Sequence, residues 1–218
     1  MARKIEGEHR NKELTKKKLI DSVGEVLRRE GYTKLGVNNI ANHAGVSKKL
    51  IYRYFESVDN LIEAYIKEMD FWMTLRSQED ELANIHSHNF GRDLASTFLG
   101  SLFEHLEDRP EAQKIILYEL SENNKLLHEI SMVREMFGSK LFKMTDPIFE
   151  GTGIDLRAVY AILLGGVYYM TLHANGAGGT VCEIDSKKDE GKQRLIKAME
   201  TIVEMCYNEA ERVKLAKL

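Results

Sequence analysis

The sequence predicts an all-α fold. Apolar residues recur at helical spacing along most of the 218 residues, only two prolines interrupt them, and no stretch alternates with the two-residue period of a strand. An apolar share of 43% is enough to fill a substantial core, and the length accommodates one large or two modest domains. No apolar run reaches the roughly 18 residues of a membrane span. The charged start MARKIEGEHRNKELTKKK lacks the apolar stretch of a secretory signal, and Cys182 and Cys206 form no CxxC pair. These features point to a soluble, cytoplasmic chain with reduced thiols.

The elements follow in order. Leu19, Ile20, Val23, Val26 and Leu27 share one face of a first helix that Gly31 stops. Val37, Ile40, Ala41 and Ala44 define a short second helix; Gly45 follows, and Ser47 stands where an N-cap belongs. A third helix over 48–55 buries Ile51 and Phe55, and a fourth runs from 58 to beyond 71. Phe90, Leu94, Phe98, Leu102 and His105 stripe the next helix, which Asp108, Arg109 and Pro110 break. Another carries Ile115, Ile116 and Tyr118. Leu126, Ile130, Val133, Phe137 and Leu141 mark one that should end near Asp146 and Pro147. Residues 156–172 are apolar on nearly every face and should be buried on several sides. A glycine-rich loop opens at 176, and a final helix carries Leu195, Ile196, Met199, Ile202, Val203 and Cys206.

Charge is unevenly shared. Residues 1–56 hold 13 Lys and Arg against 7 Asp and Glu, a net +6; the remaining 162 hold 18 against 27, a net −9. A basic head on an acidic body suits a head that faces a polyanion. Within it, the run VNNIANHAGVSKKLIYRYF at 37–55 has the parts of a helix-turn-helix: a short helix, a turn whose Gly45 can take a positive φ, and a second helix with a polar outer face. Ile40, Ala41, Val46, Ile51 and Phe55 would lock the two helices at their crossing. Lys48, Lys49, Tyr52 and Arg53 would then face outward, where Lys donates to guanine or phosphate and the Tyr hydroxyl donates to phosphate.

The run GYTKLGVNNIANHAGVSKKLIYRYFESVDNLIEAYI resembles the DNA-binding domain of the tetracycline-repressor (TetR-like) family of regulators, over about residues 15–70. The resemblance implies a division into a DNA-binding domain at 1–58 and a helical ligand-binding and dimerisation domain at 59–218. It also implies DNA contacts at Asn38, Lys48, Lys49, Leu50, Tyr52 and Tyr54, which with Ser47 and the outward Arg53 make the candidate DNA-contacting set; in it Asn38 could read adenine through both amide atoms and Leu50 could meet a thymine methyl. Two departures weaken the pattern. Leu35 and Gly36 stand where a Thr or Ser usually opens the second helix, and Glu56, Ser57 and Val58 replace a Lys-Ser-Lys phosphate clamp. Lys16, Lys17, Lys18 and an N-terminal arm with Arg3, Lys4 and Arg10 would offset that loss.

As a family member the chain would dimerise through its last two long helices, about 154–174 and 188–211, and bind a palindromic operator as a homodimer. Gly165 and Gly166 would allow close helix packing there. A small-molecule effector, apolar and of aromatic or acyl type, would lie among the body helices and release the DNA; Trp72, Phe98, Leu102, His105, Tyr118, Phe137 and Tyr169 are the candidate lining residues. Repression is the family habit.

No nucleotide-binding or hydrolase motif occurs, so an enzyme is not expected, and neither is a cofactor. His86 and His88, the nearest approach to a metal pair, would point apart on a helix. Asp80 and Glu81, and Glu119 with Glu122, read as solvated faces. The alternative function is a helical interaction protein that has lost specific DNA binding.

Overall fold

The computed structural model describes residues 2–72, 89–121, 125–176 and 178–217, with side chains at all of these except 2–10, 133 and 137. The described residues are almost entirely helical and contain no strand; a single isolated bridge joins Val181 to Ile184. The helices are α1 (Ala2–Glu30), α2 (Val37–Ala44), α3 (Lys49–Phe55), α4 (Val58–Met69), α5 (Arg92–Glu107), α6 (Pro110–Ser121), α7 (Lys125–Phe149), α8 (Leu156–Asn175) and α9 (Asp189–Leu215), with a 3-10 turn at Tyr32–Lys34. No helix among them is long and apolar enough to cross a membrane.

Helix α1 reaches back to Ala2, so the basic residues expected in an arm stand on its first turns. It forms the spine of the head. Leu19, Val23, Val26 and Leu27 pack with Ile40 and Ala41 of α2, Ile51 of α3, and Leu61, Ile62 and Ile66 of α4. The approach of α1 to α4 needs Gly24, where a Cβ would fall 2.7 Å from the Tyr65 hydroxyl. This core continues into the body through Ile115, Leu127 and Ile130.

The body centres on α5, which packs against α8 and, most extensively, α9. Phe98, Leu99, Leu102 and Phe103 of α5 meet Tyr160 and Val167 of α8 and Met199, Val203 and Tyr207 of α9. Arg92 fastens the start of α5 to α9, donating to Glu204 at 2.6 and 2.8 Å and to Glu211 at 3.1 Å.

Two helix ends and the burial of one helix differ from the sequence expectation. Helix α4 ends at Met69 because the Asp70 carboxylate accepts the Trp72 backbone N–H at 2.9 Å, a local alternative to the helical bond. Helix α7 continues through Pro147 to Phe149. Proline there removes one helical bond in the last turn, and the Glu150 N–H to Asp146 carbonyl bond (2.9 Å) closes the turn beyond it. Helix α8 is not buried on all sides of the single chain: Ile162 is 76% and Tyr169 57% exposed.

Candidate functional site

The helix-turn-helix is built by backbone chemistry at Gly45. This residue adopts the left-handed conformation (φ 64°, ψ 33°). Its N–H bonds the Asn42 carbonyl and the next N–H, of Val46, bonds Ala41, both at 3.1 Å. That paired arrangement closes α2 and turns the chain into α3. Ser47 caps only loosely, its hydroxyl accepting the Lys49 N–H at 3.4 Å.

On the outer face Asn38, Ser47, Lys48, Lys49, Tyr52 and Arg53 are exposed. Lys48 reaches across to Asn38, its Nζ donating to Oδ1 at 3.2 Å. Leu50 and Tyr54 are half-buried and pack on the head core. The Tyr54 ring is flanked by Lys12 and Arg53, each 5.9 Å from its centroid. The head thus presents cations and neutral donors on one surface.

Sequence reasoning missed how α2 is held without a capping hydroxyl. Gly36 caps it with no side-chain bond. Instead, Glu30 at the end of α1 receives Asn39 Nδ2 at 3.0 Å on one carboxylate oxygen and lies 2.9 Å from His43 Nε2 with the other. The bonds from Asn39 and His43 hold the Glu30 carboxyl below the usual carboxylate range. Asn39 and His43, four apart on one face of α2, were the signal available in the sequence. At the far end of α3, Glu56 adopts a positive φ of 68°, and Ser57 caps α4 by accepting the Asn60 N–H at 3.0 Å.

The head is tied to the body at α6. Lys114 Nζ donates to the Leu27 and Arg28 carbonyls at 3.1 and 2.7 Å, satisfying the open end of α1. Tyr118 stacks on Tyr32 with ring centroids 3.9 Å apart.

The body holds a cavity of about 340 Å³ between α5, α6, α7 and α8, walled by Trp72, Phe98, Ile116, Leu141, Phe142, Tyr160, Leu164 and Tyr168. That size lies in the range of small-molecule sites, roughly 300–1,000 Å³. Its charged residues are Glu119, Arg134, Glu135 and Arg157. Arg134 is deeply placed, with 12% of its side chain exposed, and bonds Asp70 at 2.7 Å and Glu119 at 2.8 Å. Burial disfavours the guanidinium charge, but the two carboxylates outweigh it and raise its pKa. Arg157 is paired with Asp146 at 2.6 Å. Burial also raises the pKa of Tyr168, whose hydroxyl bonds the Trp72 side chain.

Of the residues expected to line a pocket, Trp72 and Phe98 do so. Leu102 and His105 border a void of about 20 Å³ that shares Trp72, Arg134 and Tyr168 with the larger cavity. Tyr118 is instead at the head–body contact, and Tyr169 faces outward beside His173; the neighbouring Tyr168 takes the inward position. The side chain of Phe137 lies outside the described residues, as do Asp80, Glu81, His86, His88 and Glu122. The cavity-wall roles of Arg134, Glu119 and Arg157 were not legible in the sequence. No cluster of three His, Cys, Asp or Glu side chains suited to a metal occurs among the described residues.

A helix-turn-helix head with an exposed, donor-rich face, mounted on an all-helical body with its own cavity, defines a DNA-binding transcription regulator. Residues 19–65 match the family described as bacterial regulatory proteins, tetR family, and the head is a TetR-like DNA-binding domain. No curated protein sequence matches it. Among solved structures it is similar to the fatty acid degradation regulator FadR from Bacillus halodurans, with a TM-score of 0.60 and 19% identity over 87% of this chain and 94% of that one. It is also similar to the transcriptional regulator FadR from Bacillus subtilis in complex with stearoyl-CoA, with a TM-score of 0.56 and 18% identity over 88% and 97%. At these identities the likeness is one of fold.

Proposed function

We propose that the chain is a ligand-responsive repressor that binds a palindromic operator as a homodimer and is released by a long-chain acyl thioester. The observation that carries this reading is the cavity wall itself. Arg134 faces a mainly apolar cavity and also grips Asp70, the residue that ends α4 of the head's core. An occupant that shifts Arg134 acts on α4, and through α4 on α3. Such a ligand changes DNA affinity only by binding one arrangement more tightly than the other.

The apolar walls suit an acyl chain, and the FadR from Bacillus subtilis binds stearoyl-CoA. The division we propose keeps residues 1–58 as the DNA-binding domain and 59–218 as the ligand-binding and dimerisation domain, with α4 as the part of the latter that packs into the head core. Dimerisation is assigned to α8 and α9, where Ile162, Tyr169, Ile202 and Met205 are exposed together with Gly165 and Gly166. Two heads about 34–36 Å apart would then meet successive major grooves. The DNA-contacting residues of this reading are Asn38, Ser47, Lys48, Lys49, Leu50, Tyr52, Arg53 and Tyr54.

The test is selection of bound sequences from a random duplex library, followed by titration of the selected duplex with stearoyl-CoA. A palindrome released by stearoyl-CoA, with quenching of the single tryptophan, Trp72, supports the reading. A palindrome that the thioester neither releases nor competes with overturns the effector assignment. Enrichment of no sequence overturns DNA recognition.

A further inference from the structure

Asn38 and Lys48 come from different helices of the head and are bonded to one another. Asn38 lies in the first turn of α2 and Lys48 immediately before α3; both are exposed, and the Lys48 ammonium donates to Asn38 Oδ1 at 3.2 Å. A lysine carries donors only, so the amide oxygen must be the atom that faces it. The Asn38 amide nitrogen is thereby turned the other way with its two protons. The pair offers donors from both members and has its carbonyl oxygen already engaged.

We propose that Asn38 and Lys48 act as one donor-only reader that selects guanine in each half-site; this rests on the DNA-binding reading above. In the major groove guanine presents two adjacent acceptors, N7 and O6. Adenine presents N7 beside an amino donor, and that amino group would have to share the amide oxygen with the Lys48 ammonium. Cytosine presents an amino donor, and thymine a single acceptor beside a methyl. The neighbouring exposed Lys49 and Arg53 add further donors and no acceptor. Glu30, the carboxylate bonded to α2, is engaged by Asn39 and His43. The adenine contact expected of Asn38 from its residue type alone is therefore replaced by a guanine contact of the pair.

The test is random-duplex selection with the full chain and with Lys48→Met, which keeps the length of the side chain and removes its donors. The wild type should fix one guanine per half-site with about a tenfold preference. Lys48→Met frees the amide oxygen, and the same position should turn to adenine. A palindrome without a fixed guanine overturns the proposal. So does a guanine that persists in Lys48→Met, or one lost there without gain of adenine. Should Lys48→Met enrich nothing even at low salt, Asn38→Ala decides: a weakened guanine preference supports the pair, and an undiminished one overturns it. If the wild type enriches no sequence, the DNA-binding reading falls and takes this one with it, so the two failures are told apart.

Discussion

Arg134 donates through Nη2 and Nε to the same oxygen of Asp70, at 2.7 and 2.9 Å, and so binds the cavity wall on α7 to the residue that ends α4. Its third contact, Nη1 to Glu119 at 2.8 Å, adds α6. Three helices thus meet at one guanidinium. The Asp70 side chain is only 5% exposed, so loss of its partner leaves a buried charge without that compensation.

Arg134→Met should cost about 3 kcal/mol in urea denaturation, because removing one member of a buried pair leaves the other's charge only partly compensated, by the Trp72 N–H among others. Adding Asp70→Asn should recover part of that loss, and the non-additivity measures the coupling. In a DNA-binding titration the double variant should respond less to stearoyl-CoA than the wild type. A fully additive double variant with an unaltered effector response would show that the contact is structural alone.

Glu56 holds a φ of 68° at the end of α3, where an L side chain is strained. Glu56→Gly should therefore raise stability by about 1 kcal/mol, read as a higher urea midpoint. Glu56→Gln keeps the strain and removes the charge. It should leave stability unchanged but tighten binding to duplex DNA, since the carboxylate stands where the family carries a lysine. Equal DNA affinity for wild type and both variants would place Glu56 away from the phosphates.

How much of this was readable in the sequence depends on distance along the chain. The turn at Gly45 and the inner residues Ile40, Ala41 and Ile51 were legible because the motif is local and its spacing sets its geometry. Tyr168 and Tyr169 were not distinguishable: a helix apolar all round gives no phase, and a one-residue error turns a side chain by about 100°. Asp70 and Arg134 are 64 positions apart, and Tyr32 and Tyr118 farther still, so no periodicity connects them. Pro147 read as a stop because the sequence does not reveal that the turn beyond it is closed by Glu150 and Asp146.

Gly165 and Gly166 lie on the exposed side of α8, and a Cβ built at either meets nothing within 4 Å in the single chain. Gly165→Leu should then leave the protomer folded, with helix content and cooperative melting retained. If α8 and α9 form the homodimer interface, the added side chain should shift the mass in sedimentation toward the monomer and weaken operator binding through loss of the second half-site. A dimer of unchanged stability in Gly165→Leu would move the interface elsewhere.

His105 of α5 places Nε2 3.2 Å from the carbonyl of Met69, the last residue of α4, and borders the void beside the cavity. Burial, with Arg109 acting in the same direction, lowers its pKa below the ordinary 6.5 against the opposing pull of the Met69 carbonyl, Asp70 and Asp108. As the pH falls through about 6.5, the unfolded chain takes up its proton before the folded one does. Stability is therefore full above that pH, and is lost on acidification until the folded imidazole protonates too. The melting temperature should drop between about pH 7.5 and 5.5, and His105→Gln, which keeps a donor for Met69 and does not titrate, should show a smaller drop. Parallel pH curves for the two proteins would assign the acid sensitivity to other groups and leave His105 a packing residue.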